Sequence, residues 1–358
     1  MRTGALALAL LLAPAFAAAS GGGALFDGSR GPLPRFELPA PPLTPEAAPE
    51  TFGRTVATPD LIAAKARVGI DAELARLGSA PAGTSFTFGV IGDAEPGRFP
   101  WERIFEPGKD VFAKEMAALQ ARDPRFILQL GDFVSEGTVP NYRAHVAWMD
   151  ADSTVPLLRC IGNHDRSRPN GDADKVLYDA VFGPRDYFFD YGGWRFIALD
   201  SSDRVVTPAQ IAWLSGALNV PGPKVIYTHV PPAYLRHAKP LPIVASLPAS
   251  AIEAERSPVQ DFFENWFKEG SSDFERLVET SDVKAVFMGH IHAFWAADLH
   301  GVRYVISGGG GSPLYPLPPG YDMRRFAHYM TVAATPSGLT ETVHPYRGTD
   351  FVLPPVRP

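Results

Sequence analysis

"VFMGHIHAFW" (286–295) is an apolar run that stops at a glycine and then delivers two histidines two residues apart. Taken alone the pair is weak evidence, because nine histidines in 358 residues can fall this way by chance. The same ending recurs along the chain. "FTFGVIGD" (86–93) ends at Asp93, with Glu95 two residues on. "RFILQLGD" (125–132) ends at Asp132, "LLRCIGNHD" (157–165) runs into Asn163 and His164, and "KVIYTH" (224–229) ends at His229. Five apolar runs therefore end in residue types that ligate metals, and the run quoted first contributes His290 and His292. Glycines 92, 131, 162 and 289 stand immediately before four of these endings, where a residue without Cβ allows tight turns and close backbone approach.

Between these runs lie stretches with helical spacing, such as "KDVFAKEMAALQARD" (109–123). Strand, helix, strand in this order implies an α/β domain with helices on the faces of its sheets. In open α/β sheets, sites form beyond the carboxyl ends of the strands. Five strand ends can thus bring Asp, Glu, Asp, Asn and three His to one crevice. A helix is expected from Thr207–Pro208. Another is expected over "SPVQDFFENWFKEG" (257–270), with Ser257 as cap, Gly270 as stop and Phe262, Phe263, Trp266 and Phe267 packing inward. "RYVIS" (303–307) and "YMTVAAT" (329–335) read as closing strands, with "PSG" (336–338) as a turn.

The rest of the composition sets limits. Hydrophobic residues make up 46% of the chain, enough for a large core, and the net charge is −6 with no basic run, which argues against non-specific nucleic-acid binding. Arg2 followed by the apolar stretch 5–19 reads as a secretory signal peptide (1–19), too short and too interrupted by Pro14 for a membrane span. Export to a periplasmic or extracellular location is expected, and no later segment is long and apolar enough to cross a membrane. Cys160 is the only cysteine, so no internal disulfide can form. Residues 20–83 read as a Pro- and Ala-rich linker carrying one helix after Thr58. The compact domain is expected over 84–348 and a short tail over 349–358.

The donor set is too large for one metal ion and suits two, which together clamp a displacement at phosphorus. In order, "GDAE", "GDFVSEG", "GNHD", "THVPP" and "GHIH" resemble the calcineurin-like metallophosphoesterase superfamily over about residues 86–312. The resemblance implies a four-layer αββα sandwich, two central mixed sheets flanked by helices, and hydrolysis of small phosphomonoesters, phosphodiesters or pyrophosphates by a metal-bound hydroxide. It makes Asp93 a ligand of a first metal and Asp132 a bridge between two. Asn163, His229 and His290 would hold the second metal, and His292 the first. His164 would stand by the leaving group as a general acid or transition-state donor, with Asp165 orienting its imidazole.

Glu95 departs from the pattern, which ordinarily has histidine there. It can ligate the first metal through oxygen, reach it through water, or leave the site impaired or with one metal. An oxygen-rich first site leans toward Mn²⁺ or Fe, with Zn²⁺ also able to bind. Ser135 stands where purple acid phosphatases carry their tyrosine, so no tyrosinate-to-iron colour is expected. Arg166 and Arg168 are candidates for a substrate phosphate or for a solvated loop. "ISGGGGSP" (306–313) is expected to border the site, Asp200 to make a structural turn, and 233–250, with His237, to be a lid or a solvated loop. His145, His300, His328 and His344 carry no motif. Two alternatives stay open: a non-catalytic metal- or phosphate-binding member of the same fold, and a dinuclear hydrolase acting on another bond.

Overall fold

The computed structural model describes residues 55–95, 107–243, 246–248, 252–253, 265–314 and 323–356. Its strands in chain order are β1 (Phe86–Ile91), β2 (Ile127–Gln129), β3 (Leu157–Arg159), β4 (Tyr187–Tyr191), β5 (Trp194–Leu199), β6 (Lys224–Thr228), β7 (Ile252–Glu253), β8 (Val283–Met288), β9 (Phe294–Leu299), β10 (Val302–Ser307), β11 (Arg324–Arg325), β12 (His328–Thr335), β13 (Gly338–Pro345) and β14 (Phe351–Val352). They form two sheets, ordered β14-β13-β12-β1-β2-β3 and β4-β5-β6-β8-β10-β9-β11-β7. β1, β2 and β3 run parallel in the first sheet. β5, β6, β8 and β10 run parallel in the second.

Alternation along the strands sorts side chains into layers, because successive residues point to opposite faces. Phe88 and Val90 of β1, Phe196 and Ala198 of β5, and Ala285 and Phe287 of β8 share one buried cluster, the filling between the sheets. Phe126 sits at its centre, stacked on Phe88 (5.4 Å) and edge-on to Phe196 (5.0 Å). Ile197, Leu199, Val286 and Met288 face the other way, onto helices Pro208–Leu218 and Ser271–Glu279. Ile91, Ile127 and Leu157 face helices Pro59–Val68, Pro107–Gln120, Val139–Asp152 and Val176–Val181. The result is the helix–sheet–sheet–helix order that the resemblance implied.

The compact part begins before residue 84. Helices Pro59–Val68 and Ile70–Leu77 bury Leu61, Ala64, Val68 and Ile70 against the domain. The Ile70 amide bonds the Phe182 carbonyl, and the buried Glu73 carboxylate accepts from the Leu157 amide. At the other end, β14 pairs with β13, and Phe351 joins the filling between the sheets. The signal peptide and residues 20–54 lie outside the described residues. So do residues 257–264 of the expected aromatic helix.

Residues 265–270 are not helical. Their backbone is engaged elsewhere: the Phe267 amide bonds the Pro231 carbonyl, its carbonyl accepts from Ala233, and the Glu269 carbonyl accepts from Val206. Trp266 and Phe267 are core, but Gly270, at φ 79°, opens helix Ser271–Glu279 instead of closing the one expected. Within 233–250, Ala233–His237 is a 3₁₀ turn and Leu241, Ile243 and Leu247 pack on the core, while His237 is exposed. Among the described residues no helix is long and apolar enough to cross a membrane.

Candidate metal centre

The carboxyl ends of β1, β2 and β3 in one sheet and of β6 and β8 in the other deliver their next residues to one place. There, donor atoms of Asp93, Asp132 and His292 lie within 4.8 Å of one another, and so do those of Asp132, His229 and His290. A third group holds Glu95, Asp132 and His164. All seven of these side chains and Asn163 are buried. Asp93 (φ 62°), Glu95 (φ 28°), Asp132 (φ 52°) and His290 (φ 69°) hold left-handed backbone that non-glycine residues seldom adopt. Strain of this kind costs about 1–3 kcal/mol per residue and persists where the surroundings dictate it.

Glycine makes the convergence sterically feasible. A Cβ on Gly162 would lie 2.1 Å from Asp132 Oδ1, and one on Gly289 would lie 2.5 Å from Asp93 Oδ2. The loop 308–313 closes one side: the Gly310 amide bonds the Gly92 carbonyl, and the Ser312 amide bonds the Asp93 carbonyl.

Backbone carbonyls set the histidine tautomers. Nδ1 of His229, His292 and His164 lies 2.7, 2.8 and 2.8 Å from the carbonyl oxygens of Leu130, Pro313 and Ser135. A carbonyl only accepts, so each Nδ1 carries hydrogen and each Nε2 is the nitrogen turned inward. His229 Nε2 stands 3.1 Å from Asn163 Oδ1 and 3.2 Å from Asp132 Oδ2. His292 Nε2 is 3.5 Å from Asp93 Oδ1 and 3.8 Å from Glu95 Oε2. The Asn163 amide nitrogen donates to the Pro169 carbonyl, which turns its oxygen toward His229. His290 Nε2 is buried with no hydrogen-bond partner among the described residues.

These donors fit divalent cations. Without one, the charges compensate each other imperfectly. Burial raises the Asp93 carboxyl, while Asp132 is held well below the usual range because His229 and His164 outweigh its burial. Burial works against a charged His229, yet Asp132 and Asp93 beside it raise it to about 9. Burial and the neighbouring His229 push His290 well down, so its neutral ring is the stable form. An orphaned imidazole nitrogen beside paired carboxylates is what a bound cation would satisfy.

Asp165 does not orient His164. Its carboxylate accepts from the amides of Asp132, Phe133, Val134 and Gly162 at 2.9, 2.9, 3.2 and 2.7 Å. It therefore ties the Asp132 loop to the Gly162 turn. Burial and the Asp132 charge push it up, to about 8, against those four donors. The imidazole of His164 is held instead by the Ser135 carbonyl and by Glu95, whose Oε1 lies 3.0 Å from Nε2. Burial opposes the Glu95 charge, but His164 and His292 outweigh it and lower the carboxyl.

Arg166 is not open to substrate. It is buried and spans the carbonyls of Asn163, Pro169 and Gly171 while pairing with Asp203. Asp200 pairs with Lys175 and Arg185 and accepts from Ser202, a structural turn. His145 and His328 are buried, His300 pairs with Glu279 at the surface, and His344 pairs with Asp350. The carbonyl anchors were invisible in the sequence because every residue carries a carbonyl. The Arg166–Asp203 pair spans loops that only the fold brings together.

A family model described as calcineurin-like phosphoesterase matches residues 86–294, more than half of the chain. The chain belongs to this family. A "Probable cyclic nucleotide phosphodiesterase" of Rhodococcus erythropolis is 25% identical over 189 residues, 50% of this chain and 55% of that one. A Fibrobacter succinogenes protein with the same description is 28% identical over 120 residues, 32% of this chain and 45% of that one. The chain thus spans about half the length of the curated relatives it matches. The purple acid phosphatase PPD1 of yellow lupin (Lupinus luteus) superposes with a TM-score of 0.56 at 17% identity, covering 77% of this phosphoesterase-family chain and 55% of that one. That likeness concerns the fold alone.

Proposed function

We propose that this calcineurin-like phosphoesterase hydrolyses small phosphate esters at a pair of divalent cations. The observation that carries the reading is the convergence of Asp93, Asp132, Asn163, His229, His290 and His292 with their donor atoms turned inward and one imidazole nitrogen orphaned. Asp93 and His292 would hold one cation, Asn163, His229 and His290 the other, and Asp132 both. When bound, the cations would neutralise phosphate charge and supply an activated water. The chain's own part is orientation. The carbonyls of Leu130 and Pro313 fix which nitrogen of His229 and His292 faces inward, and Asp165 holds the Asp132 backbone in its strained form.

Glu95 adds a third carboxylate beside Asp93 and Asp132, which favours harder, oxygen-seeking cations such as Mn²⁺ or Fe²⁺ over Zn²⁺. The descriptions of the two bacterial relatives support a phosphodiester substrate. The apolar leader at 5–19 supports action outside the cytoplasm.

The test is turnover of p-nitrophenyl phosphate, bis-p-nitrophenyl phosphate and cyclic nucleotides by chelated protein, with Mn²⁺, Fe²⁺, Zn²⁺ or Ca²⁺ restored. Metal-dependent hydrolysis that disappears in Asp132→Asn is the expected result, fastest with Mn²⁺ or Fe²⁺ and with diesters. Two bound cations without turnover of any phosphate ester would sink the reading.

A further inference from the structure

We propose that Arg204 binds the phosphate group of the ester, from the side of the centre formed by Asn163, His229 and His290. The inference rests on the metal-dependent reading above and adds to it the residue that recognises the substrate's negative charge.

Two loops place Arg204 there. It closes the turn that follows β5, its amide donating to the Ser201 carbonyl at 2.8 Å. β5 lies beside β6 and parallel to it, so this turn stands next to the end of β6, where His229 follows. Ser201 fastens the turn to that end. Its hydroxyl accepts from the Thr228 hydroxyl and from the Val230 amide, both at 2.7 Å, and these two residues flank His229. The Arg204 guanidinium donates to Asn170 Oδ1 at 3.1 Å. Asn170 follows Pro169, whose carbonyl takes the Asn163 amide nitrogen at 3.1 Å. Arg204 is thereby tied to the loops of both Asn163 and His229. Its charge is also felt at the third donor of that set: after burial and His229, Arg204 is the next cause that keeps the His290 ring neutral.

A fixed positive charge beside a site suited to divalent cations opposes their binding unless an anion lies between. The acids of the same turn are engaged elsewhere: Asp203 pairs with Arg166 and Lys175, and Asp200 with Lys175 and Arg185. The anion that the reaction itself brings is the phosphate of the substrate. Arginine suits it, because the planar guanidinium sets two N–H donors against two phosphate oxygens. The group carries five such donors, so holding Asn170 positions it without exhausting it. Arg204 is half-buried and keeps left-handed backbone, φ 60°. A residue with a side chain adopts that form at a cost, and such strain gathers at functional sites. Glu95 gives the centre one negative charge more than the usual pattern, and Arg204 returns a positive one on the side where the substrate's charge can use it.

The experiment loads full-length protein with Mn²⁺ and titrates it with inorganic phosphate by calorimetry, with Mn²⁺ affinity read separately by chelator competition. Wild type is compared with Arg204→Gln and with Arg204→Lys, which keeps the charge and guards against a misfolded variant. We expect Arg204→Gln to bind phosphate about tenfold or more weakly, the loss of one charge-assisted contact, and Arg204→Lys to recover part of it. Mn²⁺ affinity should stay level or rise in Arg204→Gln, because a repelling charge has gone. Unchanged phosphate affinity in Arg204→Gln would overturn the proposal. So would an equal loss of Mn²⁺ affinity, which would make Arg204 a brace for the Asn163 loop. If these variant effects appear but wild type cleaves no phosphate ester, the functional reading falls and this one stands. Wild type that binds Mn²⁺ but no phosphate would remove this one alone, and wild type that binds no Mn²⁺ would remove both.

Discussion

Replacing Gly162 by alanine should disable the centre without touching a single donor. Gly162 has an ordinary φ, so alanine costs no backbone strain there and the whole effect is steric. The new methyl would lie 2.1 Å from Asp132 Oδ1 and 2.3 Å from the Asp132 amide nitrogen. Neither neighbour can yield freely. That oxygen accepts from the His164 amide, and that nitrogen donates to Asp165 Oδ2. Ordinary contact begins near 3.4 Å, so the carboxylate that both cations would share has to move by more than about 1 Å. Displacement on that scale at a reacting centre costs about 100-fold in rate. Overpacking adds about 1–3 kcal/mol of destabilisation. The assay is cation affinity by chelator competition, run beside kcat/KM and urea unfolding. Gly171→Ala is the control for backbone strain alone, because Gly171 has a φ of 71° that an alanine adopts at a cost while its methyl meets nothing within 4 Å. If Gly162→Ala bound cations and turned over substrate like wild type while Gly171→Ala behaved the same way, the close approach of the Gly162 turn to Asp132 would be irrelevant and the reasoning wrong.

Two further outcomes follow from protonation. His229 stands at about 9 in the metal-free protein, so a cation arriving at its Nε2 must expel a proton. Calorimetric titration with Mn²⁺ at pH 7 in buffers of different ionisation enthalpy should report proton release, and affinity should rise with pH up to about 9; buffer-independent heats would contradict this. Burial depresses His328 from 6.5 to about 4, with Nδ1 on the Phe326 carbonyl and Ser307 Oγ at its Nε2. A histidine held neutral contributes stability that is complete above 6.5 and is lost as pH falls toward 4, about 3 kcal/mol in all. Urea unfolding should therefore weaken by about that much more between pH 7 and pH 4 in wild type than in His328→Gln, and parallel profiles would refute it.

How much of this was legible in advance follows from what each feature depends on. The αββα order and its site at the strand ends were readable because they rest on local patterns. Apolar runs such as 86–91 and 283–288 alternate with helical spacing, and a glycine followed by a donor marks four of the five turns. At 265–270 the aromatic segment misled because Trp266 and Phe267 are apolar at helical spacing whichever backbone carries them. What decided their conformation was the pairing of Phe267 with Pro231 and Ala233, partners more than thirty residues away. The docking of helices 59–77 was hidden for the same reason, since it depends on Phe182 and Leu157 being where the fold puts them.

At the centre itself, sequence alone determined which residue types meet, because side-chain identity and strand order are both written in it. Only the tertiary structure decided what each does to its neighbour. It turned Asp165 toward four backbone amides and away from His164, buried Arg166 against Asp203, and set Glu95 3.0 Å from His164. Spacing along the chain records which loop a residue stands on, whereas hydrogen bonding is fixed within a few tenths of an ångström and about 30° of direction. That precision arises only where loops from two sheets close on one another.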